Sequence, residues 1–392
     1  MSPNVEAAES TAALPANRPL HVRRRLSWLL AGIICYAISL LLSRLPGVTE
    51  VAYGTTLSPA LSRWLSLLTG IVPFALSELF VLAVIARQVI GGAIALIEIR
   101  TGRRAWGNAA KAGALRIGQD VGILIALFYM LWGFNYARAP LHERLDWPQP
   151  SDLTIEELVG LSTQLVAEAN NAYLELHGVE DLGESTQRTV SPRVLQNALA
   201  DGWKQARQQL GLPEIGGKYG RAKTPFLTAW YEWTGTAGFY FPYTAEANLR
   251  AGIPAVDHAK MLSHELAHQR GVARESEANF WGYLAAANSP EPLARYSAFV
   301  FAQRQLLAIL MRQDRQWAVA VARDRLPGVQ RDIEDSRRYW ASFRGRGTEL
   351  GRSVNNAYLH TNRVEDGVRN YSMVSMLLVS YARARGGRIG TD

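Results

Sequence analysis

The chain has one cysteine in 392 residues, Cys35, and it lies inside an apolar run. No intrachain disulfide can form, and a zinc–thiolate cluster is excluded. Lysine is scarce as well: Lys111, Lys204, Lys218, Lys223 and Lys260 are all there are, so arginine carries the net charge of +8. A basic balance of this kind suits nucleic acid. Here the excess sits beside apolar segments rather than on one soluble face, so no nucleic-acid partner is expected. Histidine is also sparse, with seven in the chain. No internal repeat is visible.

Two of those histidines fall in the most informative stretch, His264-Glu265-Leu266-Ala267-His268. Positions i and i+4 share one face of a helix, so both imidazoles can reach one metal ion. Glu265 is then placed to hold and deprotonate a water the metal carries. At this histidine content a chance match is expected in about one such chain in a hundred or fewer. The plain alternative is two surface histidines on a helix that also carries a Glu.

The flanking sequence argues for the metal. The spacing predicts a helix over 256–269, with Pro254 before its first turn and Gly271 just past its end to reverse the chain. A second helix is expected from about Ala273 to Ala287, stopped by Asn288-Ser289-Pro290. A catalytic zinc usually takes three protein ligands and keeps one open position. In metalloproteases with a compact three-histidine motif the third ligand lies three residues after the glycine, and that position is Arg274, which cannot bind a metal. Glu275 and Glu277 are the nearby candidates. They project about 200° apart on a helix, so only one can face the metal. Glu275 shares its face with Ala278, Asn279, Gly282 and Ala286, small residues that permit close approach, and is preferred; Glu277 shares its face with Phe280, Trp281 and Leu284. Asn279 is a candidate to support a histidine ring from behind.

Glu275-x-x-Ala278-Asn279 resembles the Glu-x-x-Ala-Asp element that supplies the third ligand in gluzincin metalloproteases. The resemblance implies Glu275 as ligand and Asn279 in the supporting position.

The N-terminal third is apolar. Runs at 26–42, 64–86 and 117–136 each approach the length needed to cross a bilayer. The stretch 89–97 is short and reads as interfacial or as an extension of the second run. The first run has no small-x-small cleavage site after it in Ser43-Arg44-Leu45-Pro46-Gly47, so an uncleaved helix is expected. Arg18, Arg23, Arg24 and Arg25 precede it, and Arg87, Arg100, Arg103, Arg104, Lys111 and Arg116 cluster around the second connection. The first connection has only Arg44 and Arg63. The positive-inside rule then places the N-terminus in the cytoplasm and the C-terminal part outside, with the bilayer as one partner. Glu78 and Asp120, in or near these runs and with no paired cation in view, are candidate functional acids. Residues 1–20 are small, polar and proline-containing and read as disordered.

Residues 138–392 read as largely helical, with helices over 154–176, 191–210, 291–322, 329–345 and 363–384. The exception is 234–247, where glycines combine with Phe239, Tyr240, Phe241 and Tyr243 in what reads as an extended element. It is a candidate edge strand for a substrate backbone, the competing reading being an aromatic core hairpin. Glu246 is a possible further acid near the site. Tyr358, His360 and Tyr371 are candidates to steady an oxyanion.

The whole chain is also similar to a family of uncharacterised bacterial three-pass membrane proteins. The elements that carry this are Trp132-Gly133-Phe134-Asn135-Tyr136 with Arg138-Ala139-Pro140-Leu141, then Gly238-Phe239-Tyr240-Phe241-Pro242. The run from His264 to Phe280, and Asp366-Gly367-Val368 with Tyr371, complete the set. It covers about residues 26–385 and implies no particular substrate.

The expectation is a mainly α membrane protein in the bacterial cytoplasmic membrane. A basic disordered N-terminus (1–25) and three transmembrane helices (26–137) precede a largely helical, zincin-like extracytoplasmic domain (138–392). His264, His268 and Glu275, with Glu277 as the alternative, would hold Zn²⁺. Glu265 would serve as general base on a peptide or protein substrate of the cell envelope. The other function class open to the same residues is a non-catalytic metal-binding membrane sensor or envelope assembly factor.

Overall fold

Apolar composition makes the first part of the chain helical. In the computed structural model, which describes residues 21–147, 152–213, 217–343, 345–361 and 373–390, it folds as α1 (Val22–Leu42), a short α2 (Pro46–Thr49), a π-helical stretch (Glu50–Leu57), α3 (Ser58–Thr69), α4 (Leu76–Arg100) and α5 (Trp106–Leu131). Three of these helices, α1, α4 and α5, are long and apolar enough to cross a membrane. The expected disordered N-terminus lies outside the described residues up to residue 20, while Arg23, Arg24 and Arg25 are already helical.

The second apolar run is not one helix over 64–86. Pro73 removes a backbone donor and disfavours helix for Val72 before it, and 70–75 form turns and bends between α3 and α4. Trp64 therefore belongs to α3, and the second long helix absorbs 89–97 as an extension. The third long helix also begins earlier than expected, so Lys111 and Arg116 are helical rather than in the connection. It ends at Leu131, and Gly133–Ala137 form a 3₁₀ turn.

Two compact units result, and they do not follow the boundary expected at 137/138. One comprises the described residues up to Ala37 with Phe80–Leu127; the other comprises Ile38–Leu79 and the described residues from Phe128 on. In the first unit glycines bring two helices together: a Cβ on Gly122 would stand 2.4 Å from the Trp28 carbonyl. Asp120 is not unpaired there. Arg87 meets it through two hydrogen bonds, at 2.7 and 3.1 Å, and Gln88 donates a third at 2.5 Å.

The second unit continues with α6 (Leu141–Arg144), α7 (Ile155–His177), α8 (Pro192–Gln209), α9 (Thr228–Thr234), strands β1 (Gly238–Phe241) and β2 (Glu246–Leu249), α10 (Ala255–Gln269) and α11 (Glu275–Ala287). Beyond these lie α12 (Pro292–Gln313), α13 (Arg315–Arg323), α14 (Pro327–Ala341), α15 (Arg346–Thr361) and α16 (Met373–Ala384). Side chains cap the starts expected: Thr154 accepts from the Glu157 amide and Ser191 from the Val194 amide. The region expected as one helix over 291–322 is two. Asp314 leaves helical geometry and its carboxylate caps α13 by accepting from the amides of Gln316 and Trp317. Of the helix expected at 363–384, only the part from residue 373 lies among the described residues.

The core is built where α7 lies along α12 and where α10, α11 and α12 pack on one another. Tyr173 meets Tyr296 edge-on at 5.5 Å and Trp203 meets Trp281 at 4.6 Å. The strands form an antiparallel hairpin with Gly238 opposite Leu249 and Phe241 opposite Glu246. Both strands lie against α10.

Candidate metal centre

The centre rests on α10 and α11. Pro254 starts α10, and Val256, Ala259, Leu262 and Leu266 bury its apolar side. His264 and His268 then fall together on another side, four residues apart. Gly271 takes φ +85°, the left-handed conformation that turns the chain back. Glu275 opens α11. Gly282 lets α11 close on α10, since a Cβ there would lie 3.0 Å from the His264 nitrogen.

This turn brings three ligand-type side chains together. His264 Nε2 and His268 Nε2 are 3.2 Å apart. Glu275 lies 3.4 Å from His264 Nε2 and 3.6 Å from His268 Nε2, through its two carboxylate oxygens. A tetrahedral site with bonds of about 2.0–2.1 Å has edges of about 3.3–3.4 Å, so the triangle has the size of one tetrahedral face. An octahedral ion with similar bonds would call for edges of about 3.0 Å. His268 Nδ1 is 2.6 Å from the Val272 carbonyl. A carbonyl only accepts, so Nδ1 carries a proton and Nε2 is the nitrogen that would bind a metal.

Glu277, the alternative ligand, does not join them. One of its oxygens accepts from the Leu141 amide at 2.9 Å and the other from Arg144 at 2.8 Å. It pins α6 to α11 and has no oxygen to spare for the histidines. Asn279 is not behind a histidine ring either: its amide oxygen accepts from Lys260. The Glu246 carboxylate takes the amides of Leu76 and Ser77 and the Lys223 ammonium, so it caps the start of α4. Glu78 accepts from the amides of Phe226 and Leu227 at the start of α9. Tyr358 and His360 fall in α15, with side chains outside the described set, and Tyr371 lies outside the described residues.

Glu265 is buried beside the triangle, and its Oε2 has no hydrogen-bond partner among the described residues. Burial pushes its carboxyl up to about 8, with His268 and Lys260 offsetting only part of the effect. Burial pushes His264 down to about 4. Burial also opposes charge on His268 and Glu275, but each stabilises the other. The Glu275 carboxylate raises His268, and the two histidines hold Glu275 well below the usual carboxylate range. Lys260, one turn before His264, is lowered by burial to about 7. Its ammonium lies 3.7 Å from the centre of the Phe301 ring.

Three supports were not foreseen, and all come from the segment after α5. Trp132 Nε1 donates to the His268 carbonyl at 3.0 Å. Arg138 donates to the Gly271 carbonyl at 3.1 Å while its other nitrogens grip Glu50. Asn135 lies against Gly271 and donates to Ser58. The aromatic run at 132–138 thus clamps the turn that carries the ligands. The sequence signal was its density of aromatic and polar residues directly after an apolar helix. Lys260 had only its spacing of four from His264.

Residues 53–379 match a family model described as Protein of unknown function (DUF3810). The chain belongs to this family. The match takes in the 132–138 clamp, the β1 segment and the metal triangle, the first three elements on which the resemblance rested. No curated protein and no solved structure matches the chain.

Proposed function

We propose that this DUF3810 member is a membrane-anchored, zinc-dependent metallopeptidase with a zincin-like catalytic domain outside the cytoplasmic membrane. The observation that carries the proposal is the conjunction of the His264–His268–Glu275 triangle with a buried Glu265 oxygen beside it that has no partner among the described residues. The donor set fits zinc: two imidazole nitrogens, one carboxylate and a tetrahedral edge length. Zinc held there supplies Lewis acidity toward a carbonyl oxygen and toward water.

The chain's own residues supply the rest. Glu265 takes a proton from the attacking water and returns it to the leaving amine. A site that only held a metal for structure would have no use for a buried carboxylate with a free oxygen. The strand β1 supports a peptide substrate. It pairs with β2 on one side, and β2 is bridged on its far side by Lys223, which leaves the other edge of β1 unpaired among the described residues. At Gly238 the backbone comes so close to Glu265 that a Cβ would stand 2.8 Å from its Oε1. A peptide added to that edge would pass beside the general base. The basic residues before the first crossing and around Arg103 and Arg104, against only Arg44 and Arg63 in the first connection, support the outward orientation.

The test is a peptide-cleavage screen on purified full-length protein in detergent or lipid nanodiscs. Cleavage by the zinc-loaded wild type, abolished by Glu265→Gln with zinc retained, is the expected result. Equal cleavage by the Gln variant overturns the assignment of the base. No cleavage of any peptide in a broad library by a zinc-loaded protein overturns the peptidase reading.

A further inference from the structure

The helix α3 has its polarity reversed. A helix on a water-exposed surface buries apolar residues and shows polar ones. Here Ser58, Ser62, Ser66 and Thr69, on one side of the helix, are buried. Each is hydrogen-bonded into the unit. Ser58 accepts from Asn135 and Ser66 from the Gly220 amide. Ser62 donates to the Gln269 carbonyl and Thr69 to the Thr244 carbonyl. The opposite side shows Trp64, 73% exposed, and Leu68, 66% exposed. The turns after it continue the pattern with Ile71 and Phe74 exposed.

A second apolar surface lies on α9. Trp230 and Trp233 are about half exposed, with their rings 5.2 Å apart. The start of α9 is held by the Glu78 carboxylate, in the first turn of α4. Thus α3 ends seven residues before one membrane-length helix begins, and α9 is tied to the first turn of that same helix.

We propose that the exposed sides of α3 and α9 form a lipid-contacting surface that seats the metal-centre unit in the bilayer interface. The occupant is the bilayer, for three reasons. Segment 43–75 connects two helices of membrane-spanning length, so its distance from the bilayer is bounded by its own chain. The buried serines leave an apolar side that water would penalise at about 25 cal/mol per Å² and lipid would not. Tryptophan with arginine at its margin is the composition of a membrane–water interface. Arg63 is exposed beside Trp64, and Arg221 reaches the carbonyls of Gly70 and Ile71. Because Ser62 is bonded to Gln269, the residue after His268, the end of the metal-binding helix is fastened to the surface helix. The metal centre is therefore held at the membrane face, whatever reaction it performs.

The test uses full-length protein in vesicles of phosphatidylethanolamine and phosphatidylglycerol. In a Cys35→Ser background, single cysteines replace Trp64, Leu68 or Trp230, and, as water-facing controls, Arg312 or Arg338. Each carries an environment-sensitive fluorophore. At 64, 68 and 230, brominated lipid is expected to quench severalfold more than at the controls, and aqueous iodide severalfold less. Quenching at 64 and 68 that matches the controls overturns the proposal. Protection from both quenchers, the signature of a second protein copy, overturns it too. Unsubstituted protein provides an independent readout if a variant fails to fold. A photoactivatable lipid is expected to label peptides covering 64–74 and 226–233 but not 315–341, and labelling confined to the three long helices overturns the proposal.

Discussion

Gly282 lies directly against His264: a Cβ at residue 282 would stand 3.0 Å from the His264 backbone nitrogen and 3.1 Å from its Cα. The distance between α10 and α11, and hence between the histidines and Glu275, is set by this contact. Gly282→Val is expected to wedge the helices apart, at a cost of about 1–3 kcal/mol, and to weaken metal binding about tenfold or more. Isothermal titration with zinc on the purified variant measures this directly; unchanged affinity would show that the triangle does not depend on this contact.

The two acids of α11 have separable duties. Glu275→Ala is expected to remove the metal and leave the fold intact. Glu277→Ala is expected to retain the metal and to cost about 2 kcal/mol, because the Leu141 amide and Arg144 lose charged hydrogen bonds. Metal content and thermal unfolding, measured on the same two samples, check both halves. The reverse pattern would exchange their roles.

Gly238→Ala tests the strand beside the base. The new methyl would stand 2.8 Å from the Asn248 carbonyl and 2.9 Å from Glu265 Cγ, so Glu265 must move. Zinc content should hold while peptide cleavage drops by about a hundredfold. Normal cleavage would place the substrate elsewhere.

A pH dependence follows from His258. It is buried, its Nε2 accepts from Arg188 at 2.7 Å, and burial with that guanidinium lowers it to about 4. An unfolded histidine titrates near about 6.5. As pH falls below that value the unfolded chain binds the proton first, so stability declines from about 6.5 down to about 4 and is fully present above this window. Unfolding temperatures across this range should fall more steeply for wild type than for His258→Gln. Parallel curves would remove His258 as a cause.

The residues of the candidate metal site were legible because their spacing is a local property: four residues on one helix, a glycine, and an acid opening the next helix. Bringing Glu275 rather than Glu277 to the histidines was legible in the same way, since Gly282, on the face of Glu275, is a residue that lies directly against α10. The clamp on that turn was not, because Trp132, Asn135 and Arg138 reach it across more than a hundred residues of chain. The apolar run at 64–86 misled for a physical reason. Hydropathy averages over a window, while Pro73 breaks the backbone at one point and the serines of α3 are buried by partners that are distant in sequence. Asp120 looked unpaired because Arg87 lies on a different helix.

The most direct test of the account is zinc per chain, by elemental analysis of purified full-length protein, for wild type beside His264→Ala and Glu275→Ala. About one zinc in wild type, lost in both variants while each remains folded, is the predicted result. A folded wild-type protein without zinc after reconstitution, or one whose zinc survives both substitutions, would contradict it.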